Sequence, residues 1–137
     1  MAESAEHINY VIMISNYVKE LLPVNEHPFI MTDSPNEVAG TPPVAGNYRP
    51  DVYYQNNGLL IIGEAKTDPD FDRQHSINQY KSYFEECDYF AGMAMLVVGG
   101  SWRISAALAN MLRNIKRQYG YRAKAIVINN LGQYREI

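Results

Sequence analysis

Apolar positions recur at helical spacing in the first part of the chain. Between Ala5 and Leu22 the period is close to that of an amphipathic helix, and Pro23 closes the pattern. The apolar positions are Ile8, Val11, Ile12, Val18, Leu21 and Leu22. The short apolar run HPFIMT then predicts a first strand, although Pro28 lies within it. The following stretch, 33–48, is rich in proline and glycine and has no period, which predicts a long loop.

The centre of the chain has the pattern of a β-hairpin. The segment DVYY begins at Asp51, and the segment GLLIIGEAK, which ends at Lys66, contains the aliphatic run 59–62. Asn57 and the first residue of the second segment, Gly58, are the residues that tight hairpin turns prefer. The pattern therefore predicts two adjacent antiparallel strands.

Helices and buried strands alternate in the second half. A helix is predicted over 73–86 with Asp72 as its N-cap, followed by the strand AMLVVGG. A second helix is predicted over 102–119, with Ser101 as N-cap and Gly120 at its end, followed by the strand AKAIVIN, which should be covered on both faces. The order is helix, three strands, helix, strand, helix, strand. This order predicts an α/β protein with a mixed central sheet flanked by helices.

Composition limits the classes of protein to consider. A chain of 137 residues, 47% hydrophobic and 20% charged, is typical of one globular domain, which we assign to residues 1–137. The N-terminal apolar stretch is interrupted by Ser15, Asn16 and Lys19 and has no basic region before it, so we expect neither a signal peptide nor a membrane span. A single cysteine, Cys87, excludes an internal disulfide and fits a reducing, cytoplasmic location.

Charge is distributed unevenly along the chain. From Ser101 to Ile137 there are seven basic residues against Glu136 alone, a balance of +6, so that the rest of the chain carries −9 of the total of −3. Three of the basic residues, Arg113, Lys116 and Arg117, are spaced to share one side of a helix and could contact a DNA backbone. A stripe that simply faces solvent fits the same spacing.

Candidate chemistry lies at the end of the second hairpin strand. Residues two apart in a strand share a face, so Glu64 and Lys66 project together while Ala65 points the other way. A turn at the predicted position places Asp51 roughly opposite Glu64. Two neighbouring carboxylates raise each other's pKa, and a divalent cation such as Mg²⁺ relieves that cost. The pattern predicts a hydrolytic site for phosphodiesters, with Lys66 acting on the attacking water or on developing negative charge. A solvated ion pair of Glu64 with Lys66 is the simpler alternative.

The residues PD at 50–51, twelve intervening residues and then EAK at 64–66 resemble the PD-(D/E)xK signature of the restriction-endonuclease-like nucleases. The predicted element order also resembles the αβββαβ core of that superfamily, with a further C-terminal helix and strand. The segment QYKSY, 79–83, resembles the Q-x-x-x-Y element of RecB-like members, although a surface glutamine and a core tyrosine would give the same letters.

This resemblance implies roles for individual residues. Asp51 and Glu64 would be metal ligands, together with the backbone carbonyl of Ala65. Lys66 would be the catalytic lysine, and Gln79 and Tyr83 would support the substrate or the attacking water. The metal would be Mg²⁺, with Mn²⁺ as a possible substitute. Arg49 joins the three helical basic residues as a candidate contact to nucleic acid.

Many members of that superfamily carry a further glutamate on the first helix, which completes the metal shell. Here Glu6 and Glu20 compete for this role. Glu6 lies near the start of the helix, where the helix dipole already explains a carboxylate, whereas Glu20 lies beside core residues near the end. We favour Glu20 for this reason.

The sequence thus predicts a small Mg²⁺-dependent DNA endonuclease that nicks or cuts DNA at specific sites or structures, similar to those of phages and mobile elements. Target choice would come from the 33–48 loop, a homodimer or a partner protein. One alternative keeps the fold without catalysis, as a DNA-binding or protein-interaction module. Another is a metal-dependent enzyme with a substrate other than nucleic acid, which the acidic net charge favours.

Overall fold

Helices and strands follow one another in the expected order in the computed structural model, which describes residues 4–33 and 39–137. Its α-helices are α1 (Ala5–Leu21), α2 (Gln74–Tyr89) and α3 (Ser105–Tyr119), and a 3-10 helix covers Val24–Phe29. Its strands are β1 (Met31–Thr32), β2 (Val52–Asn56), β3 (Leu59–Ala65), β4 (Met93–Gly100), β5 (Lys124–Asn129) and β6 (Tyr134–Glu136).

The six strands form one mixed sheet in which their spatial order is the order along the chain. The pairs β1–β2, β2–β3 and β5–β6 are antiparallel, whereas β3, β4 and β5 run parallel. Helices α2 and α3 make the two crossover connections that the parallel strands require. The predicted α/β class with a mixed sheet flanked by helices is therefore confirmed.

The central hairpin turns where the sequence predicted. Asn57 and Gly58 have positive φ angles of 52° and 76°, which a two-residue type I′ turn requires at both central positions. The resulting register pairs Val52 with Gly63 across the two strands. Asp51, which directly precedes β2, therefore lies beside Glu64 of β3. The turn thus fixes the relative position of the two carboxylates.

Hydrophobic layers cover both faces of the sheet. On one face α1 packs through Val11, Ile14 and Val18 against a layer that includes Ile61 and Val97. The other face packs against α2 and α3, and the layer there includes Tyr80, Tyr83, Phe84, Leu108 and Leu112. Since both faces are covered, the parallel strands are continuous apolar runs rather than alternating ones.

The predicted first strand was largely wrong. Residues 24–29, including Pro28, form a 3-10 helix, and only Met31–Thr32 pairs with β2. Proline lacks a backbone N–H and is therefore poorly suited to a sheet. The 3-10 helix is held against β2 by Glu26, whose Oε1 accepts hydrogen bonds from the Tyr54 hydroxyl at 2.6 Å and from Asn56 Nδ2 at 2.7 Å.

Both predicted N-caps were also wrong. The N-cap of α2 is Arg73 rather than Asp72, without a side-chain capping bond, and α2 continues to Tyr89. The predicted cap of the next helix, Ser101, donates instead from its hydroxyl to Asp68 Oδ1 at 2.6 Å, and α3 begins only at Ser105. Gly120 does end α3, with a φ of 71°. The short, exposed strand β6 was not predicted.

Candidate active site

Asp51, Glu64 and Lys66 meet at the edge of the sheet where β3 and β4 end. All three side chains are deeply buried, and the residues are 5%, 4% and 7% exposed. The backbone N–H of Lys66 donates to the carbonyl of Gly99 at 2.8 Å, so the pairing of β3 with β4 continues one residue past the end of β3. The sheet therefore fixes the backbone from which the lysine projects.

Hydrogen bonds hold the two carboxylates in place. Asp51 Oδ2 accepts from the backbone N–H of Ala65 at 2.8 Å. Glu64 Oε1 accepts from the hydroxyl of Tyr83 at 2.8 Å, and Glu64 Oε2 lies 3.7 Å from Lys66 Nζ. Each carboxylate is thus oriented by a partner on a different element. The predicted pairing of Glu64 with Lys66 is present, but in a buried site rather than in solvent.

Two residues of α2 reach the site from one helical face. Tyr83 is fully buried against Glu64, and Gln79, one turn earlier, accepts a hydrogen bond from Lys66 Nζ through its Oε1. The ring of Tyr80 lies 5.8 Å from the same ammonium group, measured to the ring centroid. The predicted pair on this helix therefore contacts the carboxylate and the lysine directly.

His7 was not predicted and lies at the site. Its Nε2 is 3.3 Å from Asp51 Oδ2, and it comes from the first turns of α1. A signal for it was present in the sequence. His7 lies four and seven residues before Val11 and Ile14, so it occupies the buried stripe of the helix although it is polar.

The two glutamates that competed for the helix position differ in their distance from the site. Glu20 is exposed near the far end of α1, where it borders a groove with Tyr134 of β6. Thirteen residues of helix separate it from His7, which corresponds to about 20 Å. Glu6 is exposed and accepts a hydrogen bond from the Tyr10 hydroxyl at 3.1 Å. The structure therefore brings His7, and not Glu20, to Asp51.

Burial and like charge act together on Glu64. Its pKa is raised well above the ordinary value, first by burial and second by the neighbouring charge of Asp51, while Lys66 and the hydrogen bond from Tyr83 oppose the shift. Charging Glu64 beside Asp51 is therefore costly, although the ammonium group of Lys66 lies next to it. A bound cation would remove this cost.

The two carboxylates of the site are of a ligand type that Mg²⁺ binds. Among residues 4–33 and 39–137 there is no group of three or more His, Cys, Asp and Glu side chains that could hold a metal ion. Mg²⁺ commonly uses one or two carboxylates and keeps several waters. Asp51, Glu64 and the carbonyl of Ala65 supply such a set of oxygen ligands, and Mn²⁺ accepts the same ligand types.

The predicted nucleic-acid contacts are divided between the two edges of the sheet. Arg113, Lys116 and Arg117 lie in the second half of α3, which runs back from the end of β4 to the start of β5. They are therefore at the opposite edge from Lys66, and the structure does not bring them to the site. Arg49 is exposed two residues before Asp51, and its guanidinium donates to the carbonyl of Pro42.

The described residues include no helix that is both long enough and apolar enough to cross a membrane.

We also compared the chain with known proteins in three ways. No protein-family model, no curated protein and no solved structure matches it.

Proposed function

We propose that this protein is a Mg²⁺-dependent endonuclease that hydrolyses phosphodiester bonds in DNA. The observation that carries the proposal is the buried arrangement of Asp51, Glu64 and Lys66 at one sheet edge, where burial and the charge of Asp51 raise the pKa of Glu64. A site that is short of positive charge and offers oxygen ligands is suited to a hard divalent cation.

The proposal includes a restriction-endonuclease-like fold. Its support is the order α1, β1, β2, β3, α2, β4, with an acidic residue before the second strand and an E-x-K sequence at the end of the third. Helix α2 then supplies Gln79 and Tyr83 to the same site. The elements α3, β5 and β6 extend this core at its C-terminal side.

Asp51, Glu64 and the Ala65 carbonyl would hold the metal ion, and His7 lies close enough to Asp51 to join them. A bound Mg²⁺ supplies Lewis-acid stabilisation of the phosphate and lowers the pKa of a coordinated water. Tyr83 keeps Glu64 oriented, since its hydroxyl holds one of the two carboxylate oxygens.

Lys66 has the position of a group that acts on the reacting phosphate. Its ammonium lies 3.7 Å from Glu64 Oε2 and is aligned by the carbonyl oxygen of Gln79. Fixed positive charge near a phosphate stabilises the negative charge that builds up in the transition state, and an ammonium group can also orient the attacking water. Gln79 therefore acts through Lys66 as a positioning residue.

The test is cleavage of supercoiled plasmid with Mg²⁺, with EDTA, and by the Lys66→Ala variant. We expect relaxed or linear DNA only with Mg²⁺ or Mn²⁺ and intact Lys66, with a loss of at least about 100-fold in the variant, as for other groups that stabilise transition-state charge. Lys124→Ala is the matched control, since it removes only an exposed ion pair with Glu136 at 2.9 Å. Nicked circles indicate one site acting alone, and linear product indicates two paired sites.

The close packing of the site favours one other function. Lys66 is already paired with Glu64 and Gln79, and such a buried network can specify a fold without catalysing a reaction. Absence of cleavage on plasmid, single-stranded DNA, branched DNA and RNA, together with absence of Mg²⁺ binding by calorimetry, would contradict the nuclease proposal. That result would favour a binding module built on the same fold.

A further inference from the structure

An exposed tryptophan lies close to the candidate active site. Trp102 is 50% exposed, and the guanidinium carbon of Arg103 lies 5.3 Å from the centroid of its ring. Its backbone N–H donates to Asn130 Oδ1 at 2.9 Å, and the backbone N–H of Ser105 donates to its carbonyl at 3.4 Å. The backbone of Trp102 is therefore held by one hydrogen bond at its N–H and another at its carbonyl. A half-exposed aromatic ring offers an apolar face that a planar ligand can cover.

The connection from Trp102 to the site is short. Trp102 follows the last residue of β4, Gly100, by two residues. Gly100 is packed so closely on Lys66 that a Cβ at this position would lie 2.8 Å from the carbonyl oxygen of the lysine. Between them Ser101 is hydrogen-bonded to Asp68, two residues after Lys66. Trp102 and Lys66 therefore lie at the same edge of the sheet.

A cleft of mixed polar and apolar lining adjoins this tryptophan on the side of α1. It has a volume of about 510 Å³ and is lined by Glu6, Asn9, Tyr10, Met13 and Asn130. Asn130 is the residue that holds the backbone of Trp102. The amide and hydroxyl groups of this lining can hydrogen-bond the edge of a nucleobase, and the Met13 side chain adds an apolar surface.

We infer that Trp102, with Arg103, is a stacking platform for an unpaired base of the substrate. The inference rests on the proposed nuclease function for the adjacent site, and it specifies the substrate class as DNA with a single-stranded or locally opened segment. A base in a duplex has both faces covered by its neighbours, whereas an unpaired base can lie on an aromatic ring and gains stability there. Arg103 adds a cation next to the stacked rings.

The chain contains a single tryptophan, so its fluorescence reports on this position alone. The experiment titrates the intact protein in EDTA, so that the strand is not cut, with a short oligothymidylate and with the same strand annealed to its complement. We expect saturable quenching by the single strand and weak quenching by the duplex. Binding of the labelled single strand to Trp102→Ala, measured by anisotropy, should be weaker by roughly 5- to 150-fold, which is the range for one base stacked on an aromatic ring.

Two variants act as controls for this loss. Trp102→Phe keeps an aromatic face and should recover most of the affinity. Tyr89→Ala removes an aromatic side chain that is 92% exposed at the end of α2, at the opposite edge of the sheet, and should bind the strand like the wild type. Circular dichroism of each variant checks that the fold is kept.

The outcomes separate this inference from the proposed function. Equal quenching by strand and duplex, or unchanged affinity in Trp102→Ala, overturns the platform even if the plasmid is cut. Absence of cleavage of plasmid, single-stranded DNA, branched DNA and RNA by the wild type, combined with strong quenching by the single strand, overturns the nuclease proposal and leaves a surface that binds single-stranded DNA. A plasmid that is cut, together with the expected quenching, supports both.

Discussion

At the scale of single residues, the carboxyl group of Glu64 has an unusual environment. Burial and the charge of Asp51 both favour its neutral form, and they outweigh the opposing effects of Lys66 and Tyr83. In the folded, metal-free protein this group therefore binds a proton more tightly than in the unfolded chain. Its titration is then coupled to the stability of the fold.

The first prediction concerns stability against pH in EDTA. Because the folded pKa of Glu64 lies above the unfolded value, its contribution to the free energy of unfolding is complete below the unfolded pKa and is lost as pH rises through the folded pKa. Chemical denaturation across this pH range measures the effect. In Glu64→Gln this part of the decline should disappear, so the free energy of unfolding of the variant should fall less than that of the wild type as pH rises.

The matched control for this prediction is Glu136→Gln, which changes an exposed carboxylate of β6. It should follow the wild-type dependence. Parallel curves for Glu64→Gln and the wild type would contradict the prediction, since they would mean that the pKa of Glu64 is the same in the folded and unfolded states.

The residues of the site were predictable where local rules determine them. The Asn57–Gly58 turn sets the register, and the register sets Asp51 beside Glu64. The residue that α1 supplies was not predicted, because its choice depends on where that helix crosses the sheet. His7 could have been recognised only as a polar residue on an otherwise buried stripe.

At the scale of elements, α1 approaches the sheet closely because two strand positions lack a side chain. A Cβ at Gly63 would lie 2.7 Å from Ile14 Cγ2, and a Cβ at Gly99 would lie 2.8 Å from Ile14 Cγ1. These distances are shorter than real side-chain contacts, so the helix could not keep its place over larger residues. The two glycines thereby set the distance between α1 and the strands β3 and β4, at whose ends the candidate site lies.

The second prediction tests this contact. Gly63→Ala should lower the free energy of unfolding by about 1–3 kcal/mol, the usual cost of overpacking a core, as measured by urea denaturation. In an Ile14→Ala background the same change should cost less, because the side chain that it meets has been shortened. Equal costs in the two backgrounds would mean that Ile14 is not the obstacle, and the double-mutant cycle measures this directly.

Elements were predictable where apolar periodicity is strong and less so where single polar residues determine a boundary. Helix α1, the hairpin and strands β4 and β5 match the pattern closely. Ser101 was expected to cap a helix but bonds to Asp68, a partner that is distant in sequence and adjacent only in the fold. Strand β6 is exposed and only three residues long, so it carries no pattern to detect.

At the scale of the whole molecule, the basic stripe on α3 and the two carboxylates of the candidate site lie at opposite ends of the sheet. The basic stripe on α3, formed by Arg113, Lys116 and Arg117, lies at the edge where β5 begins. The carboxylates Asp51 and Glu64 lie at the other edge. We therefore expect a short substrate bound at the candidate site not to contact the stripe.

The third prediction follows from this separation. Replacing Arg113, Lys116 and Arg117 together by alanine should leave the cleavage rate of a short oligonucleotide within about twofold of the wild type, because screening weakens interactions beyond about one Debye length. Arg49→Ala, which removes an exposed cation two residues from Asp51, should weaken binding of the same oligonucleotide and reduce its salt dependence by roughly 0.7 to 0.9 in the log–log slope. A tenfold loss in the triple variant would place the substrate on α3 instead.

The parallel course of β3, β4 and β5 has a consequence for how this protein can change. Among the described residues, the side chains placed at the candidate metal and lysine site come from the stretch 7–83, and β4 contributes the backbone carbonyl of Gly99. The segments that follow β4 and β5, 101–104 and 130–133, open at the same edge and hold no member of that set. Exposed positions in these segments, such as Trp102 and Leu131, can therefore vary without replacing a residue placed at the candidate site.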